Sequence, residues 1–528
     1  MAGSLISSLT VLGPAALLVA YLVYRLSGVE KKAPLPDLPI LGARKGEWFP
    51  KFRAGWRNAL HFKQALVEAD QEYRDQAAIL PMAGAPDIVL LPRSEIQFVT
   101  DQPDTVLNMH VKAMETLQID YTCPEPSLAH NPIHHKLIVT TLTNQTGNLV
   151  PDVADETERA FARHWGTDTA AFRELCVYDT MRHIIGNVTN RVFVGAPLCR
   201  DAELVNESMA FTQALALSSH LLRFVWEPLR PLAALVLTLP NRIHARRHGR
   251  ILLPEIRRRL AEDDARQRDP EAAKLGESAI PAETNDFLQW SLRQGKATGD
   301  PFMWKPTTLA LRVLLLSFAS LHTTSFAITN VLLDLVSSKP EYIAELRAEV
   351  ERVLAEHGGR WDKRALAKME KLDSVLRESA RVNSAVTIGL SRRVVAAGGL
   401  TTPSGVHLPR GAEVCVPSYA VLQDDAVYAD AGSFQPFRFA EQRADESVAY
   451  LKRAAKAFAT TGTDYLAFGH GRNACPGRFF AASELKIMLA HVLLNYDLEM
   501  QPARPHNRWV GIACLPPMEA TIRVKRRA

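Results

Sequence analysis

Apolar positions in this chain fall into one uninterrupted run, one long run with a polar centre, and several shorter segments of helical or strand period. The uninterrupted run comes first. Leu5 to Tyr24 is apolar apart from Ser7, Ser8 and Thr10, and the first 24 residues carry no charged side chain. As a helix, about twenty residues span roughly 30 Å, one bilayer core. Arg25, Lys31 and Lys32 follow and nothing basic precedes, which places the bulk of the chain in the cytosol. The run exceeds the ~7–15 residues of a secretory h-region and lacks a basic start, so it reads as an anchor rather than a cleaved signal peptide. Residues 1–28 are thus a single transmembrane anchor, and 29–40, with Pro34, Pro36 and Pro39, a stiff proline-rich linker. Residues 41–528 read as one large domain.

Within that domain, Phe62 to Tyr73 has helical period, and Ala78-Ile-Leu and Asp87-Ile-Val-Leu-Leu are short strand-like runs. Residues 132–354 are mostly helical, broken by a charged, turn-rich stretch from Glu262 to Thr284 that reads as a surface loop. Leu309 to Leu335 is a long apolar helix whose centre, Ala319-Ser-Leu-His322-Thr323-Thr324-Ser325, is polar. Arg312 and that cluster would be costly in lipid, so it is a core helix rather than a second span. Residues 392–416 turn to strands punctuated by glycine and proline. A helix from about Phe479 to Tyr496 and short strands complete the chain. The fold class is mainly α with a minor β-sheet region.

Composition narrows the function. The net charge of +5, from 62 basic and 57 acidic residues, is too small and scattered for nucleic-acid binding. The six cysteines are far apart with no C-x-x-C pair, which argues against disulfides and a zinc site. His130, His134 and His135 have no carboxylate or cysteine at ligand spacing, so they do not read as a metal centre.

The segment richest in chemistry is Phe468-Gly-His-Gly-Arg-Asn-Ala-Cys475-Pro-Gly-Arg-Phe-Phe. Glycines on both sides of Cys475 allow a tight turn and close approach to a flat ligand. The helix that follows favours a negative sulfur, and Gly477 lets backbone amides donate to it. Upstream, Glu378 and Arg381 lie one helical turn apart and can pair. Glu156/Arg159, Glu255/Arg258 and Glu349/Arg352 share that spacing, but only Glu378 lies between the long apolar helix and the strand region, ahead of Phe434-Gln-Pro-Phe-Arg438-Phe.

In these motifs the chain resembles the cytochrome P-450 family over about residues 35 to 520, in the membrane-bound fungal form. The cysteine loop is similar to the family's haem-binding loop at every spacing, with Phe468, Gly471, Cys475 and Gly477 at the defining positions. The resemblance implies the P-450 fold, haem b with Cys475 as axial thiolate and metal ligand, and a Glu378–Arg381–Arg438 network beneath the pocket. Two departures stand out. Asn473 replaces the usual Arg or His that binds a propionate, with Arg472 beside it. The oxygen-activating helix keeps Ala319 and Thr323, but Ser320 replaces Gly and His322 replaces the acid. An interrupted helix with a hydroxyl near bound oxygen is expected there. Thr323 and Thr324 are read as catalytic, and His322 either relays protons or is a hydrogen-bonded core histidine. His134 or His135, and Arg392 or Arg393, are the candidate propionate partners, with His134 and Arg393 preferred.

What the resemblance implies for function is a monooxygenase drawing two electrons from NADPH through NADPH–cytochrome P-450 reductase. Such an enzyme sits at the endoplasmic reticulum membrane with its catalytic domain cytosolic. Lys452, Arg453, Lys456, Arg478 and Lys486 are candidates for the reductase-facing surface. The substrate is expected to be a lipophilic small molecule, a polycyclic terpenoid of fungal secondary metabolism. A polyketide or steroid-like substrate is the alternative. Met109, Leu321, Ile388, Leu390 and Ile512 are candidate pocket liners. A reductase-independent haem-thiolate isomerase or dehydratase, separable by the requirement for NADPH, and a haem sensor or carrier without turnover, which would never form product, are the other classes.

Overall fold

The structure, a computed structural model, describes residues 34–84, 86–268 and 283–528. The anchor read at 1–28 lies outside them. Helices of more than eight residues are numbered in chain order. The first three are α1 (Pro50–Leu60), α2 (Phe62–Glu72) and α3 (Met109–Leu117), and then come α4 (Thr143–His164), α5 (Val177–Phe193) and α6 (Ala202–Phe224). The remainder are α7 (Leu239–Arg268), α8 (Phe287–Ala297), α9 (Pro306–Val336), α10 (Pro340–Glu356), α11 (Glu370–Val382) and α12 (Arg478–Asn495). Side-chain caps fix several starts: Asn108 accepts from the Val111 amide at 2.8 Å, Asp201 from Leu204 at 2.9 Å and Asp286 from Gln289 at 2.9 Å. Proline opens α1, α9 and α10, where its missing N–H costs nothing.

One apolar core joins α4, α5, α9, α11 and α12. Val150, Met181, Ile185, Val313, Ile328, Val375, Met488 and Leu489 are all buried in it. Helix α12 buries most of its surface, as a central helix does. Helix α9 is an unbroken α-helix of 31 residues. The expected interruption is therefore absent: the Ser and Thr hydroxyls bond back to carbonyls of the preceding turn without opening the helix, as Ser317 does to Val313 and Ser325 to Leu321. Helix α7 runs to Arg268, so the turn-rich stretch read from Glu262 is helical at its start; residues 269–282 lie outside the described residues.

The strands are short. A five-stranded sheet has the order β1 (Ala78–Leu80), β2 (Ile88–Leu90), β8 (Glu413–Val416), β5 (Gly389–Val394), β3 (Leu107–Asn108). Only β2 and β8 pair in parallel; the other neighbours are antiparallel. The C-terminal β12 (Thr521–Arg526) pairs with β4 (Arg173–Cys176) and β9 (Tyr496–Leu498), tying the tail to the start of α5. The proline-rich segment is not a free linker where it is described. Ile79 donates to the Pro39 carbonyl at 2.8 Å and Leu41 to Ile79 at 2.9 Å, so it joins the sheet edge.

Candidate active site

The cysteine loop leads into α12. Gly469 and Gly471 hold φ of +68° and +71°, which favour glycine, and a Cβ on Gly471 would collide with the Thr100 methyl. The Cys475 amide donates to the Phe468 carbonyl at 2.8 Å, and the Phe468 ring meets Phe458 edge-on at 5.1 Å. Burial raises the Cys475 thiol pKa; the amides of Gly477 and Arg478 and the Arg478 charge oppose it by favouring the thiolate. The residue is nevertheless exposed.

Helix α9 shows the complementary pattern. Leu321, Thr324 and Ser325 are buried, whereas Ala319 and Thr323, one turn apart, are exposed. Thr323 donates to the Ala319 carbonyl at 3.1 Å. His322 turns the other way, to α5. Its Nδ1 shares a 2.8 Å hydrogen bond with the Tyr178 hydroxyl, and Phe326 lies 5.6 Å from the Tyr178 ring and 6.0 Å from the His322 ring. Burial, with a smaller contribution from Arg182, lowers the His322 pKa, which keeps the imidazole neutral.

Behind the loop, Glu378 is fully buried and receives Arg381 Nη2 at 2.8 Å and Nε at 2.9 Å, Arg438 Nε at 3.1 Å and the Gln435 amide at 3.0 Å. Arg381 also donates to the carbonyls of Leu422, Ala431 and Ser433, and Arg438 to those of Ala429 and Asp430. The network thus pins the segment before the cysteine loop onto α11. The competing E-x-x-R pairs behave differently. Glu156 binds Arg200, Glu349 accepts the Lys371 and Leu372 amides, and Glu255 pairs with Arg258 at the surface.

Comparison with known proteins decides the family. The Cytochrome P450 family model matches residues 115–519. The chain belongs to the cytochrome P450 family. It is similar to Cytochrome P450 monooxygenase gloP of Glarea lozoyensis, 32% identical and covering 91% of this chain and 89% of the relative. Cytochrome P450 monooxygenase olcJ of Penicillium canescens is 30% identical, with 93% and 88% covered, and astC of Aspergillus terreus is 28% identical, with 98% and 96% covered. The P450 fold is mainly helical with small sheets, its chemistry is oxidoreductive, and its cofactor is haem held by a cysteine thiolate.

The residues present fit that cofactor. Gly477 has an ordinary φ of −85° and a Cβ there would meet no protein atom within 4 Å, so neither backbone nor packing demands glycine; a flat group against the loop does. A planar dianion also needs cations. Arg392 is buried, donates to the Ser391 carbonyl at 3.0 Å and makes no salt bridge among the described residues; burial pushes its pKa down to about 10 against an opposing pull from the Asp104 charge. Arg393, preferred on sequence, is occupied instead by Glu115 and the Gly411 carbonyl, because neighbouring strand residues face opposite sides of a sheet. Arg472 reaches out to the Asp101 carbonyl at 3.2 Å, and Asn473 donates to Asp104 at 3.3 Å. His134 lies half-buried beside Arg312 with its inward Nδ1 unpartnered, and desolvation first, then that arginine, pushes its pKa down to about 4. His130 is paired with Asp120 at 2.7 Å.

Among the candidate liners, Leu321 belongs to the apolar core and Leu390 to the core of the sheet. Sequence reasoning missed Tyr178. It also missed Arg377, whose guanidinium stacks 3.6 Å from the Tyr465 ring centroid and donates to the carbonyls of Ala457 and Thr460. No local motif marks either residue, since both act across 80 or more positions of chain.

Proposed function

We propose that this chain is a haem-dependent monooxygenase that places one oxygen atom from O₂ into a lipophilic small molecule. Cys475 would hold the haem iron through its thiolate, and the Gly477 and Arg478 amides would stabilise that sulfur. Haem bound there supplies oxygen activation. The observation that carries the reading is the pairing of an exposed, amide-facing Cys475 with the exposed Ala319 and Thr323 on the mostly buried α9. Thr323, beside the buried Thr324, holds the water that serves the distal side. His322, with Tyr178 behind it, stands where the family's usual pattern has a carboxylate, and relays protons through the Tyr178 hydroxyl. Arg392 holds a propionate, while the Glu378–Arg381–Arg438 network keeps the loop in place.

Electrons come from NADPH through NADPH–cytochrome P-450 reductase. The substrate class is a bulky polycyclic terpenoid, on the likeness of the cysteine loop and the His322-Thr323-Thr324 helix to fungal terpenoid oxidases. The enzyme sits on the endoplasmic reticulum membrane. Trp48 and Phe49, just before α1, and Phe52 within it are 81%, 76% and 69% exposed, and Leu232, Leu235 and Val236 are 66%, 61% and 72% exposed. Helix α1 packs on the Met82–Ala83 turn, and a Cβ at Gly84 would collide with the Phe224 ring at the end of α6. Exposed apolar groups of this kind mark an interaction surface.

The test is co-expression with a reductase and feeding of a terpenoid panel, with products identified by mass. Oxygenated products that require NADPH support the reading. Product formation at an equal rate without NADPH would leave the isomerase class in its place.

A further inference from the structure

Helix α7 carries an unexplained set of charges. Arg242, Arg246, Arg250 and Arg257 are exposed, and none has an acidic partner among the described residues. The other arginines of its central turns are matched: Arg247 with Glu207 at 3.4 Å, Arg258 with Glu255 at 2.6 Å and Arg259 with Asp286 at 2.6 Å. At about 100° per residue the four unmatched positions fall within an arc of about 80°, and they span about 22 Å of helix. Like charges at i,i+4 on an exposed face oppose helix formation, so this ladder does nothing for the fold. Its N-terminal end is apolar. Leu239 and Ile243, 50% and 37% exposed, lie on the same face and continue the patch at Leu232, Leu235 and Val236.

We infer that this face of α7 binds the headgroups of an anionic phospholipid bilayer, with Arg242, Arg246 and Arg250 as the headgroup contacts. This rests on the membrane seat proposed above and adds the lipid charge it selects. Guanidinium forks match phosphate and carboxylate oxygens in pairs of hydrogen bonds. The joined apolar end favours a bilayer over a nucleic acid or an acidic protein, since either of those would leave Leu239 and Ile243 facing water. An apolar segment beside basic residues is the pattern of an interfacial helix.

The chain's tryptophans make the test direct. All eight lie at or after Trp48, so quenching by brominated lipid reports on the folded domain and not on the N-terminal run. The full-length haem protein is reconstituted in brominated phosphatidylcholine vesicles with and without phosphatidylserine. Quenching is expected to rise roughly twofold with the anionic lipid and to fall back in high salt. The Arg242→Gln/Arg246→Gln/Arg250→Gln variant should lose that increment while keeping its neutral-lipid quenching and its carbon-monoxide spectrum. Equal quenching on both lipids would overturn the inference and leave the ladder to an acidic protein partner. So would an anionic increment that survives the substitutions. Absence of quenching on either lipid would instead remove the membrane seat itself.

Discussion

Tyr178 and His322 are 144 positions apart and share a 2.8 Å hydrogen bond between phenol oxygen and imidazole Nδ1. The bond joins the first turn of α5 to the centre of α9, one residue before Thr323. Tyr178 is itself 8% exposed, one turn from Arg182 and beside Asp179, which pair at 2.7 Å near the surface. A neutral imidazole with a hydroxyl on one nitrogen both accepts and donates protons.

For this reason Tyr178→Phe is expected to lower product formed per NADPH consumed by about tenfold, with more hydrogen peroxide released. Substrate affinity and the carbon-monoxide spectrum should be unchanged. A loss of thermal stability with unaltered coupling would show that the pair is structural only.

Cys475→Ala is expected to abolish the Soret band that marks thiolate-ligated haem in the reduced, carbon-monoxide-treated protein. Persistence of that band would refute the ligand assignment.

The Glu378 network predicts a large structural effect. Glu378→Ala strands two buried guanidiniums, a change that costs about 3–5 kcal/mol. Expression should yield little haem-loaded protein, measured as the ratio of Soret to protein absorbance. Glu156→Ala, beyond the loop, should leave that ratio largely intact.

Arg392 and Arg393 are adjacent yet face different partners. Arg392→Ala should speed haem transfer to apomyoglobin by about tenfold through loss of a charge-assisted hydrogen bond. Arg393→Ala should change thermal stability with little effect on transfer. The reverse ranking would reassign the propionate contact.

Glu484, buried on α12, accepts the Thr189 hydroxyl at 2.7 Å, and burial pushes its pKa from 4.5 up to about 8. The folded protein keeps a proton that the unfolded chain releases between those values. Its contribution to stability is full below about pH 4.5 and is lost as pH rises toward 8. Glu484→Gln should flatten the fall in melting temperature between pH 6 and 8, by an amount equivalent to a few kcal/mol. An unchanged slope would show that Glu484 ionises normally.

The sequence by itself determined the elements whose signals are local. Phe62–Tyr73, the strands at 78–80 and 88–90 and the helix after Gly477 all stand within a residue or two of where periodicity put them. The Phe468–Gly477 spacing and Glu378/Arg381 were legible because each needs a fixed separation along a few turns of chain. Tertiary structure alone decided what depends on orientation. The sheet pleat separated Arg392 from Arg393, burial beside Arg312 kept His134 neutral, and the packing of α5 on α9 gave His322 to Tyr178. A sequence specifies which groups are present and their local period. Which side of an element faces the site, and which distant group meets it there, is set only when burial of the shared core fixes how the elements are rotated against one another.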